Sequence, residues 1–563
     1  MAGWFLKILI IGGYGTFGGR LVELLENESS LTLFVAGRSL EKARDFCSSR
    51  KTAKATLIPA EFDRTGDLDD QIKKNQPQII VDASGPFQAY GEKPYLLVAA
   101  CIRNKIHYMD LADGSAFVDG IHKFDNHAKA ADVFILSGVS SFPVLSAAVV
   151  RELAKGMPDI YSIHVGIAPS PYAGVGGNVL RAIAGYAGQK IKIHQAGRMD
   201  HGYPITETMR YTISPPGRLP LYNKLFSLVD VPDLRVLSTV RPDAKKIWVG
   251  AGPVPEIFHI ALIGFAWLVR KSVLKNLLFM VPLMELVTSH IRWGEHRGGM
   301  FVEVTRKNNK GQIYKKSWHL LAEGRDGPLI PSMAVEAIIR MILKGNIPEA
   351  GARSAVNDIN LSDYDELFAG RTIYTGFREE LHAKQSPLYK AILGKSYDEL
   401  PQPIQELHDL SAAKSYEGQA DILRGYSFLS RIITGVFRFP HAGQKVKVRV
   451  DFSQIHGMEK WTRSFAGKSF TSYQFKGRGH SERLIIERFG IFNFALALVI
   501  IENRLHLITR RWNCLGIPLP LWLAPRSDSF EYIEDDKFHF NVKISHPWTG
   551  LIVHYKGWLL RKS

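Results

Sequence analysis

Three glycines, Gly13, Gly15 and Gly18, stand at G-x-G-x-x-G spacing near the start of the 563-residue chain. That spacing suits the pyrophosphate of a dinucleotide. The first glycine permits a tight turn, the second lets backbone approach the pyrophosphate, and the third lets a helix pack closely on the preceding strand. The N-terminus of that helix then supplies N–H donors and partial positive charge to the phosphates. The competing reading is a glycine turn that only joins a strand to a helix. About twenty residues on, an NAD enzyme places an acid on the ribose 2′-hydroxyl. This chain has Gly37-Arg38-Ser39 there. The planar fork of Arg38 suits a 2′-phosphate, and Ser39 adds a hydroxyl, so the pair points to NADP(H). Glu41 should open the next helix and point elsewhere. The alternative for Arg38 is a solvated side chain at a helix start.

The elements around these residues have the required order. "LKILII" reads as a buried strand because its apolar residues run without polar alternation. Leu21, Leu24 and Leu25 take helical spacing after the glycines, so the motif sits between strand and helix, as its mechanism requires. Residues 31–36 form a second strand. "ATLIPAEFD" is a third, ending at Asp63, which could flank the adenine. "PQIIVDASGPF" is a fourth, with Ser84, Gly85, Pro86 and Phe87 at its carboxyl end. "HYMDLAD" and "DVFILSGVSSFPV" are the fifth and sixth. Helical stretches at 40–50, 66–75, 92–104 and 115–131 separate most of them. Strands alternating with helices imply an α/β fold with a Rossmann-type, doubly wound parallel sheet. Ligands of such sheets lie outside the strands' carboxyl ends. The segments 12–18, 37–39, 63, 83–90, 110–114 and 137–143 should therefore surround one crevice.

The net charge of +17 is spread along the chain, without a polybasic tail. It favours anionic ligands or anionic membrane surfaces. No zinc-finger or RNP-type motif accompanies it, so nucleic acid is not expected as a partner. Cys47, Cys101 and Cys514 are too sparse for a disulfide framework and suit a reducing compartment. "MAGWFLKILIIGG" lacks the basic start and cleavage pattern of a signal peptide. The expected location is cytoplasmic, with peripheral contact at the inner membrane surface as a further possibility.

"GGYGTFGG", "VAGRS", "DASGPFQAYGEKPYLLVAACIRNKIHYMDLADG" and "LSGVSSFPV" together resemble the saccharopine dehydrogenase-like NAD(P)-binding proteins. The likeness continues through "GVGGNVLRAIAG" and "LAEGRDGPLIPSMAVEAIIRMILKG", over roughly residues 1–380. It implies a Rossmann domain over 1–150 and an α/β substrate and oligomerisation domain over 151–380, with a homodimer as one possible assembly. It also implies that Gly13, Tyr14, Gly15, Thr16, Phe17, Gly18, Arg38, Ser39, Ala83, Ser84, Gly85 and Pro86 contact the dinucleotide. Tyr90, Lys93, His107 and Asp110 form the acid–base shortlist, with structural roles as the alternative for each. Members of the family include lysine-pathway dehydrogenases and enoyl reductases acting on lipid-type acyl chains, so the family implies the cofactor better than the substrate.

Residues 259–291 form a largely apolar segment whose run 260–269 stops at Arg270 and Lys271, short of a membrane span. On a helix, Arg270, Lys271, Lys275 and Glu285 share one arc, and Pro282 should kink or break the helix. The segment could lie on a membrane surface, or be a buried helix or a dimer seam.

Beyond about 385 the pattern changes to period two. Val446, Val448, Val450 and Phe452 face one way, and Trp461, Arg463 and Phe465 share a side. This predicts a β-rich antiparallel domain over 385–563. Its segments "EKWTRSFAGKSFTS" and "LGIPLPLWLAPRSDS" resemble a domain of unknown function (DUF4166-like), which brings no chemistry with it. Its inward strands could line a pocket for an apolar ligand or simply pack as a core. His408, Glu417, Glu459, His480, Glu487 and His546 show no metal-ligand spacing, so no metal is expected. The expected activity is NADP(H)-dependent hydride transfer on a C=O, C=N or C=C bond of a small or lipid-type substrate. The alternative is a non-enzymatic NADP-binding or lipid-binding scaffold at a membrane surface.

Overall fold

The structure is a computed structural model. It describes residues 5–562 apart from 175, 196–197, 254, 292, 308–312, 382–386, 411–412 and 456–457. The chain folds as two compact units, residues 1–209 with 225–375 and residues 210–224 with 376–563. The expected start of the C-terminal domain at 385 lies outside the described residues.

The first unit opens with β1 (Leu6–Ile11), α1 (Thr16–Leu25), β2 (Leu31–Gly37), α2 (Leu40–Ser48), β3 (Thr56–Glu61), β4 (Ile79–Asp82), β5 (His107–Asp110) and β6 (Phe134–Ser137). All six strands pair in parallel, in the order β6-β5-β4-β1-β2-β3. Ile8, Leu9 and Ile10 of β1 are wholly buried, because helices cover both faces of such a sheet. The strand order reverses between β1 and β4, which is where doubly wound sheets bind ligands. Residues beyond 150 complete this sheet: Gly351–Ser354 pairs in parallel with β6. A second sheet stands in the same unit, with Ile160–Ala168 between Lys246–Ala251 and Arg297–Lys307, and Ile313–Glu323 beyond the latter.

The expected helix over 259–291 is two helices. Glu256–Arg270 ends at its first cation, and Val281–His290 begins with Pro282 in its first turn. The break thus falls at Arg270, twelve residues before Pro282, and the proline is tolerated in the second helix because a first-turn N–H has no intrahelical partner.

The second unit is an all-antiparallel barrel. Ten strands run as a meander from Lys414–Arg424 to Gly550–Arg561, each paired with the next in sequence. The last pairs with the first, which closes the barrel. A short extra strand, Ile517–Leu519, adds to Arg504–Cys514. Val448, Val450, Phe452, Trp461 and Phe465 point inward, as period two predicts. Residues 210–224 belong to this unit through Ser214, whose carbonyl accepts from Arg378 Nε at 2.6 Å.

The start of α1 is packed directly against backbone. A Cβ on Gly18 would lie 2.2 Å from the Gly12 carbonyl oxygen and 2.9 Å from Gly13 Cα. Both obstacles are backbone, so only displacement of the helix could relieve the clash. We expect Gly18→Ala to destabilise the first unit by at least about 2 kcal/mol in denaturant unfolding. A variant as stable as the parent would show that α1 is free to move.

Candidate functional site

The glycine loop is built from the end of β1. Gly12 has φ of +75°, and a Cβ on it would lie 3.0 Å from Ala83 O at the end of β4. The two strand ends flanking the switch point therefore touch through Gly12, a residue the G-x-G-x-x-G pattern passes over. Its signal in the sequence was the doubled glycine at 12–13. Gly15 caps α1 in extended conformation, and Gly15 and Thr16 are exposed. The first N–H groups of α1 thus face outward with no partner from their own helix, as a pyrophosphate requires.

At the end of β2, the Ser39 N–H donates to Tyr14 Oη at 3.1 Å, which ties the loop to β2. The Ser39 hydroxyl oxygen accepts from Lys42 N as the N-cap of α2, leaving its own O–H to donate. Arg38 is exposed beside it. Asp63 stands close enough for the Arg38 charge to act on it. Its carboxyl lies below the usual range chiefly because it accepts from the Thr65 N–H and hydroxyl, at 2.9 and 2.8 Å. Asp63 therefore anchors a turn while Arg38 remains exposed to an anion.

At the end of β4, Asp82 is fully buried and accepts from the Ser84 N–H at 3.0 Å and from the Ser84 hydroxyl. Tyr90 Oη lies 3.0 Å from Ser84 Oγ and 3.2 Å from Asp82. The Arg64 guanidinium stacks 3.3 Å over the Tyr90 ring and pairs with Asp82 at 3.4 Å. Burial, then the Asp82 charge, drives the Tyr90 phenol far above its usual range. Tyr90 and Arg64 thus close the wall of the crevice. Asn178, on the helix Gly177–Tyr186, donates to the Ser84 and Gly85 carbonyls at 3.2 and 3.0 Å, fixing the loop Ala83–Pro86. Neither Arg64 nor Asn178 was marked by the sequence, because their roles come from neighbours distant along the chain.

The other shortlisted residues do not converge. Lys93 is exposed on a loop. His107 opens β5 and so lies at the amino end of the sheet, away from the crevice. Its ring stacks on Phe134 at 4.1 Å and its Nδ1 accepts from Phe134 N, while burial lowers its basicity. Those contacts are structural. Asp110 closes β5 and pairs in register with Asp82 on β4. Both are fully buried, but among the described residues only Asp82 has a cation. Asp110 Oδ1 accepts from the N–H groups of Gly138 (2.8 Å) and Ala112 (3.0 Å) and from Ser137 Oγ (3.0 Å). Its Oδ2 has no hydrogen-bond partner. Burial outweighs those donors, Asp82 adds its repulsion, and the carboxyl is pushed up to about 7.

An apolar cavity of about 490 Å³ begins immediately after the glycine loop, at Phe17 and Arg20 of α1. Leu180 and Ile183 from Gly177–Tyr186, Leu262 and Phe265 from Glu256–Arg270, and Met284 and Val287 from Val281–His290 form its walls. Among the described residues its polar groups are few: Arg20, Ser141, Ser170, His259 and Thr288. His259 is buried, with Nε2 2.8 Å from Ser227 Oγ. The sequence reading passed over it inside an apolar run. None of the four shortlisted residues lines this cavity. Phe265 and Leu283 are wall residues and also 39% and 55% exposed, so the cavity opens between the two helices.

A doubly wound sheet with this loop, beside a second sheet and a cavity, defines the class of NAD(P)-dependent oxidoreductases. Residues 8–136 match the saccharopine dehydrogenase NADP binding domain, and residues 400–559 match DUF4166, a domain of unknown function. The chain thus carries an NADP-binding domain of the saccharopine dehydrogenase type and a C-terminal DUF4166 domain. No curated protein matches it. Among solved structures it is similar to an apo saccharopine dehydrogenase (L-Glu forming) from Saccharomyces cerevisiae, at 14% identity and TM-score 0.47, over 67% of this chain and 100% of that one. It is also similar to a meso-dapdh mutant with DAP from Clostridium tetani E88, at 13% identity and TM-score 0.32, over 64% and 95%. Likenesses this distant say nothing of a substrate.

Asp110 makes stability depend on pH. Folded, it keeps its proton to about pH 7; its ordinary value is 3.8. The stability it contributes is full below pH 4 and is lost as pH rises to 7. Asp110→Asn should leave stability at pH 4 nearly unchanged and raise it at pH 8 by about 4 kcal/mol. Parallel thermal unfolding curves of variant and parent at both pH values would show instead that Asp110 is ionised in the fold.

Proposed function

We propose that the chain uses NADP(H) to reduce or oxidise a C=O, C=N or C=C bond of a lipid-type substrate drawn from an anionic membrane surface. The observation that carries the reading is the apolar cavity starting at Phe17 and Arg20, directly beyond the glycine loop. A wall this poor in polar groups excludes water and favours acyl or other hydrocarbon substrates over amino acids. The nicotinamide, when bound, supplies or takes the hydride. The chain holds the phosphates at α1, orients the dinucleotide through Tyr14, Arg38 and the Ala83–Pro86 loop, and moves a proton. We assign that proton to His259, the imidazole of the cavity wall.

The membrane part of the reading rests on the outer faces of the two helices. Among the described residues, no helix is long and apolar enough to cross a membrane. Yet Ile257, Ile260, Phe279, Leu286 and Trp293 are exposed around the cavity opening, with Lys271 and Lys275 exposed between them. Arg270, expected on the same basic face, is instead folded inward. It donates to Thr206 Oγ1 at 3.0 Å and lies over the Tyr203 and Trp267 rings. The charge available to lipid headgroups is therefore that of Lys271 and Lys275, worth about 1 kcal/mol each near an anionic surface.

The unmodified chain should bind NADPH more tightly than NADH in calorimetric titration. Arg38→Asp should reduce that preference by about 1.5–3 kcal/mol, the scale of a charge-assisted contact; equal binding of both cofactors by the parent would remove NADP(H) from the reading.

Loss of NADPH absorbance is expected when medium- and long-chain enoyl thioesters, aldehydes and imines are presented in phosphatidylglycerol vesicles. It should be slower with phosphatidylcholine vesicles or with Lys271→Glu/Lys275→Glu. Leu180→Trp, which fills the cavity, should stop turnover and spare NADPH binding. If NADPH binds and none of these substrates is consumed, the scaffold reading takes over.

A further inference from the structure

The barrel of the second unit has an interior of its own. Eight strands enclose a space that side chains can fill, and ten enclose more. Here the ten strands leave a cavity of about 180 Å³. A dry cavity of about 150 Å³ holds a benzene molecule.

One end of this cavity is polar. The hairpin turn at 535–536 marks that end, because Glu531, just before it, is reached by His408 of the helix Gln402–His408 at 2.6 Å. Tyr389, from the helix Leu388–Leu393, stacks on His408 at 3.6 Å and donates to Gln474 Oε1 at 3.0 Å. Gln474 is 1% exposed, lines the cavity, and its Nε2 has no hydrogen-bond partner. A buried amide donor without an acceptor is costly, and a bound acceptor would remove that cost.

Partway along the wall, Arg463 is already matched. It donates to Glu487 at 3.2 Å and to Ser472 at 2.8 Å, and Ser472 in turn donates to Glu487. Glu487 and Glu531 both line the cavity with Arg463, so an incoming anion would meet two carboxyl groups and one guanidinium that is already engaged. The opposite end is apolar. Phe465, Phe439 and Phe437 gather there under the helix Phe428–Val436, whose Ile433 also faces the cavity. This helix joins the first two strands and is held over the far hairpin by Ser427 Oγ donating to Thr549 O at 2.7 Å. Its outer residues Phe428, Leu429, Ile432 and Val436 are exposed.

We propose that the barrel binds a neutral apolar molecule somewhat larger than benzene, with one hydrogen-bond acceptor placed on Gln474 Nε2 and its hydrocarbon toward the phenylalanines. The helix Phe428–Val436 covers the end through which it enters. The site is separate from dinucleotide chemistry and does not depend on the reading above.

Titration calorimetry of the full chain with acetophenone, ethylbenzene and benzoate tests this. Acetophenone should bind about five- to tenfold more tightly than ethylbenzene, the range of one neutral hydrogen bond, and benzoate at least tenfold more weakly than acetophenone. Gln474→Leu should bring acetophenone down to the level of ethylbenzene. Leu507→Trp, which fills the cavity from another strand, should abolish the barrel's share of both, and unchanged NADPH affinity in each variant would report an intact first unit. The barrel's own folding in each variant would be read from cooperative thermal unfolding. Benzoate binding as tightly as acetophenone, or acetophenone affinity untouched in both variants, would overturn the proposal, as would no binding of any of the three.

Discussion

The contact on which the first unit depends is that between Gly18 and the Gly12 carbonyl. It brings the first turn of α1 closer to the end of β1 than any side chain would permit. The amide donors of α1 therefore point at the switch between β1 and β4 instead of past it. The same closeness presses Gly12 on Ala83, so the two loops that would hold a dinucleotide are fixed to one another before anything binds. From this point Tyr14 reaches β2, Asn178 reaches the β4 loop, and Phe17 and Arg20 begin the apolar cavity.

The parallel sheet was legible because its strands are buried on both faces and read as unbroken apolar runs, ending in loops rich in glycine. Its helices were legible from spacing alone. The barrel was legible in its alternation, which correctly put Arg463 on the inside with Trp461 and Phe465. Its closure was not, because the pairing of Lys414–Arg424 with Gly550–Arg561 joins residues that no local pattern connects. The site divided in the same way. The loop residues 13–18 could be located from spacing, whereas the catalytic shortlist could not be judged. His107 has the right chemistry and sits at the wrong end of its strand, and Arg270 has the right charge and spends it on Tyr203 and Thr206. Direction along a strand and the fate of a long side chain are settled by tertiary neighbours.

Both units enclose apolar space, and they treat polar groups differently. In the first, the described cavity wall is nearly bare of charge, and the buried carboxyls Asp82 and Asp110, in neighbouring strands, do not line it. In the second, ionisable groups line the cavity itself but are spent on one another, as with Arg463 and Glu487. A buried pair of that kind adds little net stability and much selectivity against a charged guest.

The meander has a consequence for how the second unit is made. Each strand from 414 to 546 meets a partner that is synthesised just before or just after it, so most of the sheet can zip locally as the polypeptide emerges. The edge of Lys414–Arg424 facing Gly550–Arg561 cannot. Until residues 550–561 have left the ribosome, the nascent sheet carries two open edges and an uncovered aromatic interior, the combination most prone to pairing with another chain. The completion of the barrel is thus timed by translation, and a chain released early would leave an adhesive sheet in place of a closed container.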